Sequence, residues 1–271
     1  MLPQISLSTM WTKGRFGSMS QFVAKAKELG FTHIEANASV SPQELDELIE
    51  TSIPMGEVPI DLNLQDKLHQ LYTYDVIARG AWQSHPILPG EYSQTRDELI
   101  HQRASQAPPC LEAARKSLEE ISHYSQQQGI MLELETRFYF YEIPNIDEME
   151  ELLNASCHSE RSEESRGAQD KLCEESVGYW HDMGHAEVNQ RLGFTPHEEW
   201  LSRFSHKMIG IHLHDVVGIS DHCPPGKGNM NWDMVAKYLP REAIRTCEIA
   251  EWNEEEEIQG VVSFLQGRRL L

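Results

Sequence analysis

The 271 residues carry 43 Asp and Glu against 23 Lys and Arg, a formal charge of −20. That balance excludes binding nucleic acid by neutralising its phosphates, which needs a basic footprint, and it argues against anionic membrane surfaces. A core is available from 39% hydrophobic residues, and 271 residues suit a single (β/α) barrel, which typically takes roughly 250. No apolar run approaches the roughly 20 residues of a membrane span, and the start MLPQISLST lacks the basic and apolar regions of an export signal. The five cysteines, Cys110, Cys157, Cys173, Cys223 and Cys247, contain no CxxC pair and read as reduced thiols, so a cytoplasmic location is expected.

Taken in order, QISLST (4–9) reads as a strand and SMSQFVAKAKELG (18–30) as an amphipathic helix closed by Gly30. FTHIEAN (31–37) is a second strand, and Ser41-Pro42 opens a helix to about residue 50. EVPIDLN (57–63) and QLYTYDVIA (70–78) are weaker strand candidates, and no clean unit follows either. The rhythm then returns as helix 109–128, strand 129–135, helix 146–154, strand 177–182, helix 196–204, strand 208–215, helix 232–238, strand 243–249 and helix 254–266. Alternating strands and helices imply a parallel sheet with right-handed crossovers. The fold class is therefore α/β, a (β/α)8 TIM barrel that is irregular or incomplete around strands 3–4, in a single domain over 1–271. Residues 155–176, polar and without apolar periodicity, read as a disordered loop insertion, which removes Cys157 and His158 from the candidate ligands.

Polar residues at the strand C-termini carry the chemistry. Glu135 and Asp182 end two strands, and His212 and Glu248 lie near the ends of the next two, at spacings that fit one βα unit each once the insertion is discounted. Barrel active sites are built at that end. Two glutamates, an aspartate and an imidazole suit one divalent ion such as Mn²⁺, Zn²⁺, Co²⁺ or Mg²⁺, and three carboxylates packed together without a cation repel one another. His214 is at i+2 from His212 and shares its face, with His214 or Asp215 orienting ligand or substrate. Gly184 permits a tight turn that returns His185 beside Asp182. Arg137 follows Glu135 and suits an anionic or hydroxyl-rich substrate, and His222 sits in a rigid turn that can point it at the site. Glu254–Glu257 read as the solvated start of the last helix.

These motifs, Leu134-Glu135-Thr136-Arg137, Trp180-His181-Asp182-Met183-Gly184-His185-Ala186, His212-Leu213-His214-Asp215, Asp221-His222 with Pro225-Gly226-Lys227-Gly228, and Cys247-Glu248, occur in the order seen in the xylose-isomerase-like TIM-barrel superfamily. The resemblance is strong over 109–267, fair over 1–53 and poor between. It implies that Glu135, Asp182, His212 and Glu248 hold one metal ion. In the epimerase branch the two glutamates also act as acid and base, moving a proton beside a carbonyl through a metal-stabilised enediolate. The expected activity is isomerisation or epimerisation of a sugar-like small molecule. The alternatives are an apurinic-site endonuclease-like phosphodiesterase and a non-catalytic sugar- or metal-binding barrel. The endonuclease branch holds its metal cluster with further histidines, and His69, His85 and His101 lie outside strand-end contexts, so a single ion is the expectation.

Overall fold

The computed structural model describes residues 4–12, 14–36, 40–41, 43–44, 47–48, 89–128, 130–155 and 177–271. In chain order the elements begin with β1 (Ser6–Ser8), α1 (Met19–Glu28), β2 (His33–Glu35), α2 (Pro89–Gln128), β3 (Leu132–Glu135), α3 (Ile146–Ala155), β4 (Val177–Asp182) and α4 (Met183–Arg191). They continue with α5 (His197–Phe204), β5 (Met208–His212), β6 (Asp215–Val217), β7 (Ser220–Cys223), α6 (Trp232–Tyr238), β8 (Ile244–Cys247), α7 (Glu255–Ile258) and α8 (Val261–Gly267). The chain divides into two compact units, one comprising Met1–Asp61, Met131–Phe140 and Val177–Leu271, the other Leu62–Ile130 and Tyr141–Ser176.

In the first unit six strands form a wholly parallel sheet in the order β2-β1-β8-β5-β4-β3. Each strand lies beside its neighbour in the winding, and the first lies beside the last. That is the order of a (β/α)8 barrel, in which the chain winds once around in a single sense. The two expected strands at 57–63 and 70–78, which come between β2 and β3 in the sequence, lie outside the described residues, as do residues 156–176 of the expected insertion. β4 is buried at all six positions, which is why VGYWHD shows no alternation of polar and apolar residues. Ile5, Leu7, Ile34, Tyr179, Trp180 and Ile211 are fully buried in this sheet. α1 begins where Ser18 Oγ accepts the Gln21 amide, and Gly30 ends the unit with φ of 94°.

Three expectations in this unit are corrected. Residues 183–191 form helix α4, where a tight turn was expected; Gly184 lies inside its first turn. The strand expected over 208–215 stops at His212, and Asp215 opens the antiparallel hairpin β6–β7. The cause is Asp215 itself, whose buried carboxylate accepts the amides of Val216, Gly226 and Met230 and the indole N–H of Trp232. The helix expected over 254–266 is two helices, because Gly260 takes a left-handed φ of 86° between α7 and α8.

In the second unit α2 runs for 40 residues and starts 20 residues before the expected 109, continuing through Pro108 and Pro109. The two prolines read as a helix start, yet the preceding stretch is made of good helix formers such as Glu, Gln, Arg, Leu and Ala. Arg103 of α2 makes a bidentate, buried ion pair with Glu148 of α3 at 2.7 and 2.6 Å, and also donates to the Glu142 carbonyl. No helix among the described residues is long and apolar enough to cross a membrane. Cys110, Cys223 and Cys247 are free and buried.

Candidate metal centre

The centre is built on His212, the last residue of β5. Its Nδ1 lies 3.0 Å from Glu135 Oε1, 3.3 Å from Asp182 Oδ2 and 3.3 Å from Glu248 Oε2. Register explains part of this, since Asp182 pairs with His212 across β4–β5, and His212 pairs with Thr246, two residues before Glu248. Curvature explains the rest. Glu135 on β3 and Glu248 after β8 are carried by strands three apart, which in a flat sheet would stand about 14 Å from each other. Both reach one imidazole nitrogen, so the sheet curls to bring its strand ends onto a common point.

An imidazole nitrogen can direct one hydrogen at one acceptor. Here three carboxylate oxygens surround it, and the four donor atoms lie within 4.8 Å of one another. Ligands about 2.0–2.2 Å from a shared ion stand roughly 3.0–3.4 Å apart, so these separations and this mixed O/N set fit a divalent cation. The electrostatics agree. Burial acts against a charged His212, but Glu248, Glu35, Asp182 and Glu135 hold its pKa well above the ordinary value. Burial and the surrounding carboxylates push Glu248 up to about 7. Burial also opposes ionisation of Glu135, but His212, His185 and Arg137 outweigh it and lower its pKa. Asp182 is held well below the carboxylate range despite complete burial, by His185, His214 and His212.

Around this group lie His185, His214, His222 and Arg137. Asp182 caps α4 by accepting the His185 amide at 2.8 Å, and the same Oδ1 accepts from His214 Nε2 at 3.0 Å. The His222 amide donates to His214 Nδ1 at 2.8 Å, so His214 carries its hydrogen on Nε2. His185 donates from Nδ1 to the Thr136 carbonyl at 2.8 Å, leaving Nε2 facing Asp221 Oδ2 at 3.7 Å. Asp221 Oδ2 also lies 3.5 Å from His222 Nε2, and His185, Asp221 and His222 form a second group with metal-ligating spacing. Asp221 is raised by burial, and His222, pushed down to about 2 chiefly by burial, has a left-handed φ of 52°. Such a backbone in a non-glycine residue is characteristic of functional sites. Arg137 meets Glu135 Oε2 at 3.3 Å. Asp215 turns its carboxylate to the loop amides described above.

Beneath the site runs a buried hydrogen-bond chain, from Thr136 Oγ1 to Tyr179 OH (2.7 Å), His181 (2.7 Å), His197 (3.0 Å) and Glu187 (3.1 Å). It fixes Thr136, whose carbonyl orients His185. Arg191 continues from Glu187 to the Val216 and Gly218 carbonyls, tying α4 to the hairpin that bears Asp221. One residue of the cluster escaped the sequence reading. Glu35 ends β2 and is 5% exposed, with Oε2 3.3 Å from His212 Nε2. The signal was present, because Glu35 is a carboxylate at a strand C-terminus like the other three.

No family model matches the sequence, and no curated protein matches it either. Solved structures do. A xylose isomerase domain protein from Alicyclobacillus acidocaldarius superposes with a TM-score of 0.57 at 12% identity, over 98% of this chain and 97% of its own. The chain shares the α/β barrel fold of that protein. The probable 3-DHS dehydratase AsbF of Bacillus anthracis, involved in petrobactin synthesis, is similar at a TM-score of 0.55 and 12% identity, over 97% of this chain and 99% of that one. A protein from Sinorhizobium meliloti, SMc04130, gives 0.51 at 11% identity, over 98% of each chain.

Proposed function

We propose that this protein is a divalent-metal-dependent isomerase or epimerase of a sugar or sugar-like small molecule. The observation that carries the reading is the convergence of three carboxylates on one nitrogen of His212. An ion held by Glu135, Asp182, His212 and Glu248, whether Mn²⁺, Zn²⁺, Co²⁺ or Mg²⁺, would supply Lewis acidity toward a carbonyl or hydroxyl oxygen. Glu135 and Glu248 are the acid–base pair. One carboxylate takes the proton from the carbon beside the carbonyl, and the other returns a proton to the enediolate. Arg137 offers its guanidinium to hydroxyl or anionic groups of the substrate, and His185 offers Nε2. The free thiols suit a reducing cytoplasm.

The test is metal analysis of the purified protein, then exchange of substrate C–H with deuterated solvent across a panel of sugars. Wild-type protein is expected to bind a stoichiometric divalent ion and to catalyse exchange, and Glu135→Gln and Glu248→Gln are each expected to reduce exchange at least a hundredfold. Protein that takes up no divalent ion, or variants that exchange at the wild-type rate, overturn the reading. The group His185–Asp221–His222 favours one second reading, a binuclear phosphodiesterase. That reading predicts two ions per chain and incision of abasic DNA, against which stands the charge of −20.

A further inference from the structure

We propose that Glu35 is the positioning residue of the metal centre, fixing which nitrogen of His212 faces the ion. The inference rests on the metal reading above. An imidazole has two nitrogens pointing in diverging directions, and the neutral ring carries a hydrogen on only one of them. Three carboxylates gather at Nδ1, and among the described residues Glu35 Oε2 alone meets Nε2, at 3.3 Å. The ring itself therefore separates Glu35 from any ion at Nδ1, and Glu35 is not a fifth ligand. A carboxylate is an acceptor, so it holds the hydrogen on Nε2, and Nδ1, among the ligand oxygens, is the nitrogen that would exchange its proton for an ion.

The placement is costly enough to need a purpose. Glu35 is 5% exposed, and its carboxylate adds negative charge to a group that already holds Glu135, Asp182 and Glu248. A buried carboxylate is expensive unless it is hydrogen-bonded or paired. The fold brings it in from far away in the sheet. β2 pairs with β1, β1 with β8 and β8 with β5, so Glu35 and His212 lie three strands apart and meet only across the inner face of the curled sheet. A residue that merely balanced charge would be served by any position near the ring. This one sits where the second nitrogen points.

Glu35→Ala and Glu35→Gln separate orientation from charge, since the glutamine amide oxygen can still accept the Nε2 hydrogen. Zinc affinity is read by competition with a chelating dye, and the His212 tautomer by two-bond ¹H–¹⁵N correlation in the zinc-loaded protein. Glu35→Ala is expected to weaken zinc binding about 10–100-fold and to lose the protected Nε2 hydrogen signal, with Glu35→Gln intermediate in affinity and retaining the signal. If Glu35→Ala does not fold, the glutamine variant alone decides, through its loss of affinity. Wild-type and variant proteins binding zinc within twofold of each other, with unchanged His212 spectra, overturn the positioning role and leave the metal centre standing. Wild-type protein that binds no zinc, manganese, cobalt or magnesium overturns both.

Discussion

Asp182 shows how one side chain joins fold and site. Its Oδ1 caps α4 and receives His214, while Oδ2 faces His212, so helix start, histidine orientation and metal centre share one carboxylate. The arrangement needs the absence of a side chain at position 184. A Cβ there would overlap the His214 imidazole, which lies over the first turn of α4. Gly184→Ala is therefore expected to displace His214 from Asp182. Overpacking of this kind costs about 1–3 kcal/mol, read as a lower urea midpoint, and zinc affinity should fall with it. Gly267→Ala is the matched comparison. Nothing lies within 4 Å of its added Cβ, so the midpoint should hold or rise slightly, since alanine favours the helix over glycine, and affinity should be unchanged.

At the scale of elements, the second unit hangs on a charge pair. Arg103 and Glu148 have side chains 6% and 11% exposed, and the pair joins α2 to α3. Glu148 also accepts the Asn145 amide, while Asn145 Oδ1 accepts the Glu148 amide at the start of α3. Removing one partner leaves a buried, uncompensated charge. Arg103→Ala is expected to destabilise by about 3–5 kcal/mol in chemical denaturation, whereas Arg103→Met with Glu148→Leu together should recover most of the loss. A double variant as unstable as the single one would show that the helices need the ion pair itself. The elements also show what the sequence made legible. β4 and α6 have the expected bounds, because a bounded apolar strand and an Asn231-capped amphipathic helix are local signals. α4 was missed because Glu187 and Asn189 are buried polar residues that satisfy distant partners, His197 and the carbonyls of Arg137 and Phe138, and so erase its periodicity. Hairpin β6–β7 depends on Asp215 reaching amides as far as Met230, and no local pattern announces that. The four strand-end ligand candidates were legible because barrel spacing repeats along the chain. Glu35 obeys the same rule, but its partner lies 177 positions away.

At the scale of the whole molecule, the charge of −20 is concentrated inward as well as spread outward, and the site should oppose the stability of the fold that carries it. Glu248 is the sharpest instance. Its pKa rises from 4.5 in the unfolded chain to about 7 in the folded one, because it is buried among Asp182, Glu35 and Glu135. Between those values Glu248 holds more proton in the native state than in the unfolded state, so its contribution to metal-free stability falls as pH rises from 4.5 through about 7, by on the order of 3 kcal/mol. Glu248→Gln removes the group that must ionise. In a chelator, the variant should therefore gain on wild type as pH rises across that window, read as a growing difference in melting temperature. With saturating zinc the order should invert, since binding to the native state stabilises wild type by mass action and the variant has lost a ligand. The two melting series, with and without metal, thus test one claim in opposite directions. If glutamine fails to stabilise the metal-free protein at neutral pH, Glu248 is not held among unneutralised carboxylates. If zinc fails to invert the order, it does not ligate.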